Sequence, residues 1–211
     1  MKNKINLLFS LFAVLFILTL PFHPYSWSFL PKAIPALIAA SACIFLLKKR
    51  SDALPMGLGF LFCMAGDIFL DLDRELYFVQ GLASFLMGHI MFLIMFIRKF
   101  NYTRAGALKA GGIVIYIIVI SFVLIPHLGT LFIPVTAYML VIGAMGISAA
   151  FVKTCKPYIF IGSSIFILSD SIIAITKFLW TFDHRIYFII SLYFTALFFI
   201  QYGVIKEFGR T

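Results

Sequence analysis

Charge is what this sequence has least of. Asp, Glu, Lys and Arg make up 12% of its 211 residues, against 63% hydrophobic residues, whereas soluble domains run near ~25% charged and ~45–50% apolar. With a mean hydropathy of +1.09, a water-soluble fold is excluded. Cysteine is also scarce. Cys43, Cys63 and Cys155 give no even-numbered disulfide framework, and the first two fall in apolar segments where a thiol behaves as a small hydrophobe. Acids are too few to offset the bases, and the formal net charge is +9. No nucleic-acid partner follows, because the basic residues sit in short loops between apolar runs instead of on one solvated face. The expected environment is the lipid bilayer.

What the sequence does have is apolar length. Runs extend from Ile5 to Leu20, Phe29 to Leu47, Leu54 to Leu70, Leu76 to Ile97, Gly111 to Ile125, Leu131 to Val152, Tyr158 to Leu179 and Ile186 to Ile205, each near the ~20 residues that span a bilayer. These predict an all-α integral membrane protein, eight transmembrane helices in one bundle forming a single domain over residues 1–211. Lys and Arg in short loops stay on the cytoplasmic side. Alternate connections and both ends hold Lys2, Lys4, Lys48, Lys49, Arg50, Arg98, Lys99, Arg104, Lys109, Lys153, Lys156, Lys206 and Arg210, so both termini are expected inside. The first segment lacks a small-residue cleavage site before Pro21 and reads as a span, not a signal peptide. The expected location is the bacterial inner (cytoplasmic) membrane.

A shift of 103 residues superimposes Pro31 on Pro134, Gly59 on Gly162 and Asp67 on Asp170. This pairs the second and third helices with the sixth and seventh, admitting a 4+4 parallel repeat with its functional site between the halves. Small residues Gly143, Gly146, Ala149 and Ala150 permit close helix contact within or between chains.

Polar residues inside such spans need a reason. An ionised Asp facing lipid costs at least ~2.5–3.5 kcal/mol, so Asp67 and Asp170 are expected to face the interior or a wet cavity. Lys32 lies between Pro31 and Pro35 near the outer start of the second helix, where it either snorkels or serves as a charge partner or phosphate contact. His89 is deep in the fourth helix, with Gln80, Ser84 and Gly88 at four-residue spacing. Tyr138 and Tyr193 either join the interfacial belt or point inward as donors. At ~1.5 Å per residue, Lys32, Asp67, Tyr138, Asp170 and Tyr193 share a depth of about 5–15 Å, with His89 lower, which predicts one polar pocket opening outward. His23, His127, His184, Asp71, Asp73, Glu75 and Asp183 lack tight ligand spacing and read as a solvated rim, with no metal or cofactor expected.

Gly66-Asp67, Gly81, Phe85, Gly88-His89 and Phe166-Ile167-Leu168-Ser169-Asp170-Ser171, with Lys32 near Pro35 and Tyr193-Phe194-Thr195-Ala196, together resemble the YhhN family, whose animal members are lysoplasmalogenases. The family tends to carry Gln directly after that Ala. Leu197 stands there in this chain, and either Gln201, one turn later on the same face, substitutes for that Gln or the contact is absent.

The resemblance implies hydrolysis of the vinyl ether bond of a lysophospholipid substrate to a fatty aldehyde and a glycerophosphoethanolamine or glycerophosphocholine. An acid protonates the β-carbon and water attacks the resulting oxocarbenium ion. Two carboxylates in one cavity can share a proton, so Asp67 and Asp170 are the expected catalytic pair, with the deeper Asp170 as acid and Asp67 orienting water. Lys32, His89, Tyr138, Tyr193 and Gln201 are the expected substrate-binding residues. Paired intramembrane carboxylates also describe a proton-coupled carrier, which moves substrate without breaking a bond. An intramembrane aspartyl protease fits less well, since Met64 and Ser169 stand where its motifs need Gly and Tyr.

Overall fold

The computed structural model describes residues 2–46, 53–152 and 157–208. Among them are 8 helices long and apolar enough to cross a membrane, and no strand. They are α1 (Lys2–Thr19), α2 (Phe29–Leu46), α3 (Ala53–Leu72), α4 (Phe78–Arg98), α5 (Arg104–Leu124), α6 (Phe132–Ala150), α7 (Tyr158–Phe178) and α8 (Arg185–Phe208). The chain is a multi-pass membrane protein, and an even number of crossings returns it to the side on which it began. Lys48, Lys49, Arg50, Lys153, Cys155, Lys156 and Arg210 lie outside the described residues. Cys43 and Cys63 are buried free thiols.

Local chemistry sets the helix ends. α1 and α5 each give way to a 3-10 turn holding a proline, Pro21 in Leu20–Phe22 and Pro126 in Ile125–His127, because proline offers no N–H to continue the ladder. α5 starts at Arg104, earlier than the apolar run from Gly111 predicts. The Thr103 side chain caps the N–H of Gly106 at 3.0 Å, and Arg104 and Lys109 occupy the first turns, where long aliphatic stems carry charge back to the interface.

α3 lies between α2 and α4, α7 runs along α8, α4 touches α6, and α1 packs on α2 and α8. Lipid is as apolar as leucine, so helices associate through close contact at small residues. A Cβ on Gly88 of α4 would come within 3.0 Å of the Gly59 carbonyl oxygen on α3. In the other half, a Cβ on Gly162 of α7 would meet the Ala196 oxygen and the Ile200 nitrogen of α8 at 2.9 Å. Gly59 and Gly162, the positions related by the 103-residue shift, thus each join a helix to its successor in the chain.

Large apolar side chains such as Phe122 (85% exposed) and Ile133 (77%) coat the outside as a lipid-facing surface. Near the termini the bundle is filled by Met56, Phe60, Phe92, Met95 and Phe96, all fully buried. Asp67, Asp71 and Asp170 therefore lie towards the opposite end, the outer one in the orientation that the positive charges predict.

Candidate active site

α3 carries Asp67 and Asp71 one turn apart on one face. Asp67 is buried and accepts a hydrogen bond from the Tyr193 hydroxyl of α8 at 2.5 Å. Gly66 beside it leaves room for the Phe85 ring, which a Cβ would approach to 2.6 Å. This is the steric sense of the Gly-Asp pair.

The second carboxylate has its own partners. Asp170 of α7 accepts the Tyr138 hydroxyl of α6, and that oxygen also lies 2.8 Å from His89 Nε2 on α4. His89 Nε2 is 3.4 Å from Asp170. His89 is wholly buried, and its Nδ1 has no hydrogen-bond partner among the described residues. Gly88 lets α4 close on α3 at this level, and Ser169 ties α7 to the Ile189 carbonyl of α8 at 3.1 Å.

Aromatic rings stand between the two carboxylates. Phe166 packs 5.5 Å from the Tyr193 ring and 4.6 Å from the His89 ring, and Phe85 lies 5.8 Å from Tyr193. On one side of these rings a narrow cleft with about 60 Å³ of free space is lined by Asp170, Tyr138, Ser171 and otherwise apolar side chains of α3 to α7. That volume admits water. Asp67 is absent from its wall.

Lys32 belongs to a third group. Its Nζ lies 3.3 Å from Asp71, whose other donors are Ser28 and, at 3.0 Å, His23. Both side chains are nearly sealed, 5% and 3% exposed. Asp71 is therefore no part of a solvated rim. α3 ends at Leu72, just past the predicted end at Leu70, and so carries Asp71 to His23 and Ser28 of the α1–α2 connection. The i,i+4 spacing from Asp67 was the signal for it. An outer cavity of about 430 Å³ is lined by Lys32, Asp71, His23, Arg74 and Arg185 among others. The one pocket that shared depth predicts is thus two cavities and a sealed carboxylate. No group of three or more His, Cys, Asp or Glu among the described residues is disposed to hold a metal ion.

The YhhN family model matches residues 25–204, from the connection before α2 almost to the end of α8. The chain belongs to the YhhN family. No curated protein and no solved structure matches it. In this YhhN protein the Gly-Asp, Gly-His and Ser-Asp motifs each deliver one polar group to the outer end of the bundle, and Tyr193 and Tyr138 bind the two acids. Gln201 does not join them. Eight residues past Tyr193, about 12 Å along α8, it is buried and contacts Asn6 of α1 at 3.4 Å. Leu197 fills its own place with a buried apolar side chain. Gln80 is exposed on the outer surface of α4, and the Ser84 hydroxyl is turned back to the Gln80 carbonyl.

Proposed function

We propose that this YhhN protein is a lysoplasmalogenase, cleaving the vinyl ether bond of a single-chain phospholipid within the cleft between α3 and α7. The observation that carries this reading is a carboxyl group, Asp170, set with Tyr138 and Ser171 into the wall of an otherwise apolar cleft in a membrane bundle, with the buried His89 against both Asp170 and Tyr138. An alkenyl chain is at home among Phe and Ile side chains, and vinyl ether hydrolysis asks of the protein chiefly a positioned acid and a water.

The Asp170–His89 pair supplies the proton. Asp170 delivers it to the β-carbon as the double bond opens, leaving an oxocarbenium ion beside the newly formed carboxylate. That carboxylate takes a proton from the attacking water as its oxygen bonds to the α-carbon. The hemiacetal then collapses to aldehyde and the glycerol hydroxyl, with no net change in protonation. Tyr138 holds Asp170 and His89 in register. Asp67, sealed behind Phe85 and Phe166, acts as a positioning residue through Tyr193, a narrower role than membership of a catalytic pair.

The test is a panel of lyso-alkenyl, lyso-acyl and lyso-alkyl phospholipids given to purified protein, with aldehyde and fatty acid both measured. Aldehyde from the alkenyl lipid alone is expected, and Asp170→Asn is expected to lower its release by about 10²–10⁴-fold. Fatty acid from the acyl lipid, or wild-type turnover in Asp170→Asn, would sink the mechanism. Flux of the lipid across sealed vesicles without aldehyde would instead identify a carrier.

A further inference from the structure

The outer cavity carries charges that this chemistry does not use. Its wall holds the cations Lys32, Arg74 and Arg185 and the acids Asp71 and Asp73. Both acids are already engaged. Asp71 is bound by His23, Ser28 and Lys32, and Asp73 Oδ1 accepts the backbone N–H groups of Glu75 and Leu76, each at 2.9 Å. Glu75 in turn is paired with Lys177.

Neither arginine has such a partner, since no carboxylate lies within ion-pair distance of either guanidinium among the described residues. Arg74 is partly buried. Burial, and then the positive charge of Arg185, hold its guanidinium below the ordinary arginine range, with Asp71 and Glu75 acting the other way. Two guanidinium groups gathered at one polar cavity repel each other until an anion sits between them, and their fork geometry suits phosphate oxygens. The first turn of α8 lines the same cavity and adds the positive end of its dipole.

We infer that Arg74 and Arg185 form a phosphate site in the outer cavity that grips the headgroup phosphate of a single-chain phospholipid. Leu70, which lines both cavities, is the point past which the apolar chain enters the cleft. The inference rests on the lysophospholipid reading for the source of the phosphate. It also moves that contact from Lys32, which is committed to Asp71, to the two arginines.

The experiment is equilibrium binding to the full chain in maltoside micelles, which carry no phosphate. The probe is 1-O-alkyl lysophosphatidylethanolamine, whose saturated ether the mechanism cannot cleave, and 1-O-alkylglycerol is the phosphate-free control. Arg74→Gln and Arg185→Gln are each expected to weaken the phospholipid about ten- to a hundredfold and to leave the control unchanged. The Lys variants at both positions should recover part of the loss. Unchanged phospholipid affinity in both Gln variants overturns the site, as does an equal loss for the control.

Inorganic phosphate binding as tightly as the lipid overturns the headgroup assignment in favour of a free anion. Melting temperatures are read in parallel. Should Arg74→Gln melt early without rescue by Arg74→Lys, the exposed Arg185 decides. Because the probe is never cleaved, an enzyme that makes no aldehyde yet shows this arginine dependence refutes the hydrolase reading alone.

Discussion

The two tyrosines offer a test that separates structure from chemistry. Tyr193→Phe leaves Asp67, a fully buried carboxylate, without the hydroxyl that now lies 2.5 Å away. Interhelical hydrogen bonds in membranes average only ~0.6 kcal/mol, but stranding a buried polar acceptor costs about 1–3 kcal/mol, more when charged. A loss near the top of that range is expected. Tyr138→Phe removes a hydroxyl too, but Asp170 keeps His89 at 3.4 Å and opens into the cleft, where water can replace the lost donor. Its stability cost should be about 1 kcal/mol or less.

Activity should rank the other way. Losing the group that holds Asp170 and His89 in register should cost about 10²–10³-fold in aldehyde release, whereas Tyr193→Phe should keep its rate per folded molecule within about tenfold of the wild type. The assay pairs denaturant titration in mixed micelles with initial rates normalised to folded protein. Wild-type turnover in Tyr138→Phe, or a hundredfold loss in a Tyr193→Phe protein of wild-type stability, refutes the division of roles between the two acids.

Breaking the buried Lys32–Asp71 pair by Lys32→Met should destabilise the protein by about 3–5 kcal/mol, seen as lost yield of folded protein, and the double variant Lys32→Met/Asp71→Leu should be more stable than the single one. Gly162→Ala places a Cβ 2.9 Å from the α8 backbone and should cost about 1–3 kcal/mol. Gly111→Ala, which meets nothing within 4 Å, should be neutral or stabilising by up to about 1 kcal/mol; equal melting of the two variants would contradict the packing of α7 on α8. In a background lacking the native thiols, single cysteines at Asn101 and Asp183 should react with impermeant maleimide from opposite sides of oriented membranes, with Asp183 reached from outside. Labelling of both from one side would overturn the topology.

The architecture was legible because lipid imposes length and polarity rules that a chain must obey locally. Eight apolar runs became eight helices, most edges moving by about three residues or fewer, and the largest shift, at the start of α5, follows the Thr103 cap. The inward placement of Asp67 and Asp170 was equally legible, whereas Lys32, Tyr138 and Tyr193 could as well have sat at the interface, and the structure turns them inward. Their partners were not legible, because pairing depends on which helix lies beside which. Asp67 meets a tyrosine on α8 and Asp170 meets groups on α4 and α6, a choice set by glycine-mediated packing that no depth calculation contains. Gln201 went astray for the complementary reason. Gln201 shares a face of α8 with Leu197, but it stands about 12 Å along the helix from Tyr193, beside Asn6 of α1 and away from the outer site.

Leu70 lies on the wall common to the polar cavity and the apolar cleft. A lipid cleaved beside that wall yields two fragments of opposite solubility, one on each side of a single side chain. The glycerophospho-alcohol is then already in the compartment facing water, and the aldehyde in the one lined for hydrocarbon. Release requires neither fragment to pass through the other's medium. Widening the wall with Leu70→Ala should therefore blur this sorting, slowing departure of the aldehyde even where the bond still breaks at its normal rate.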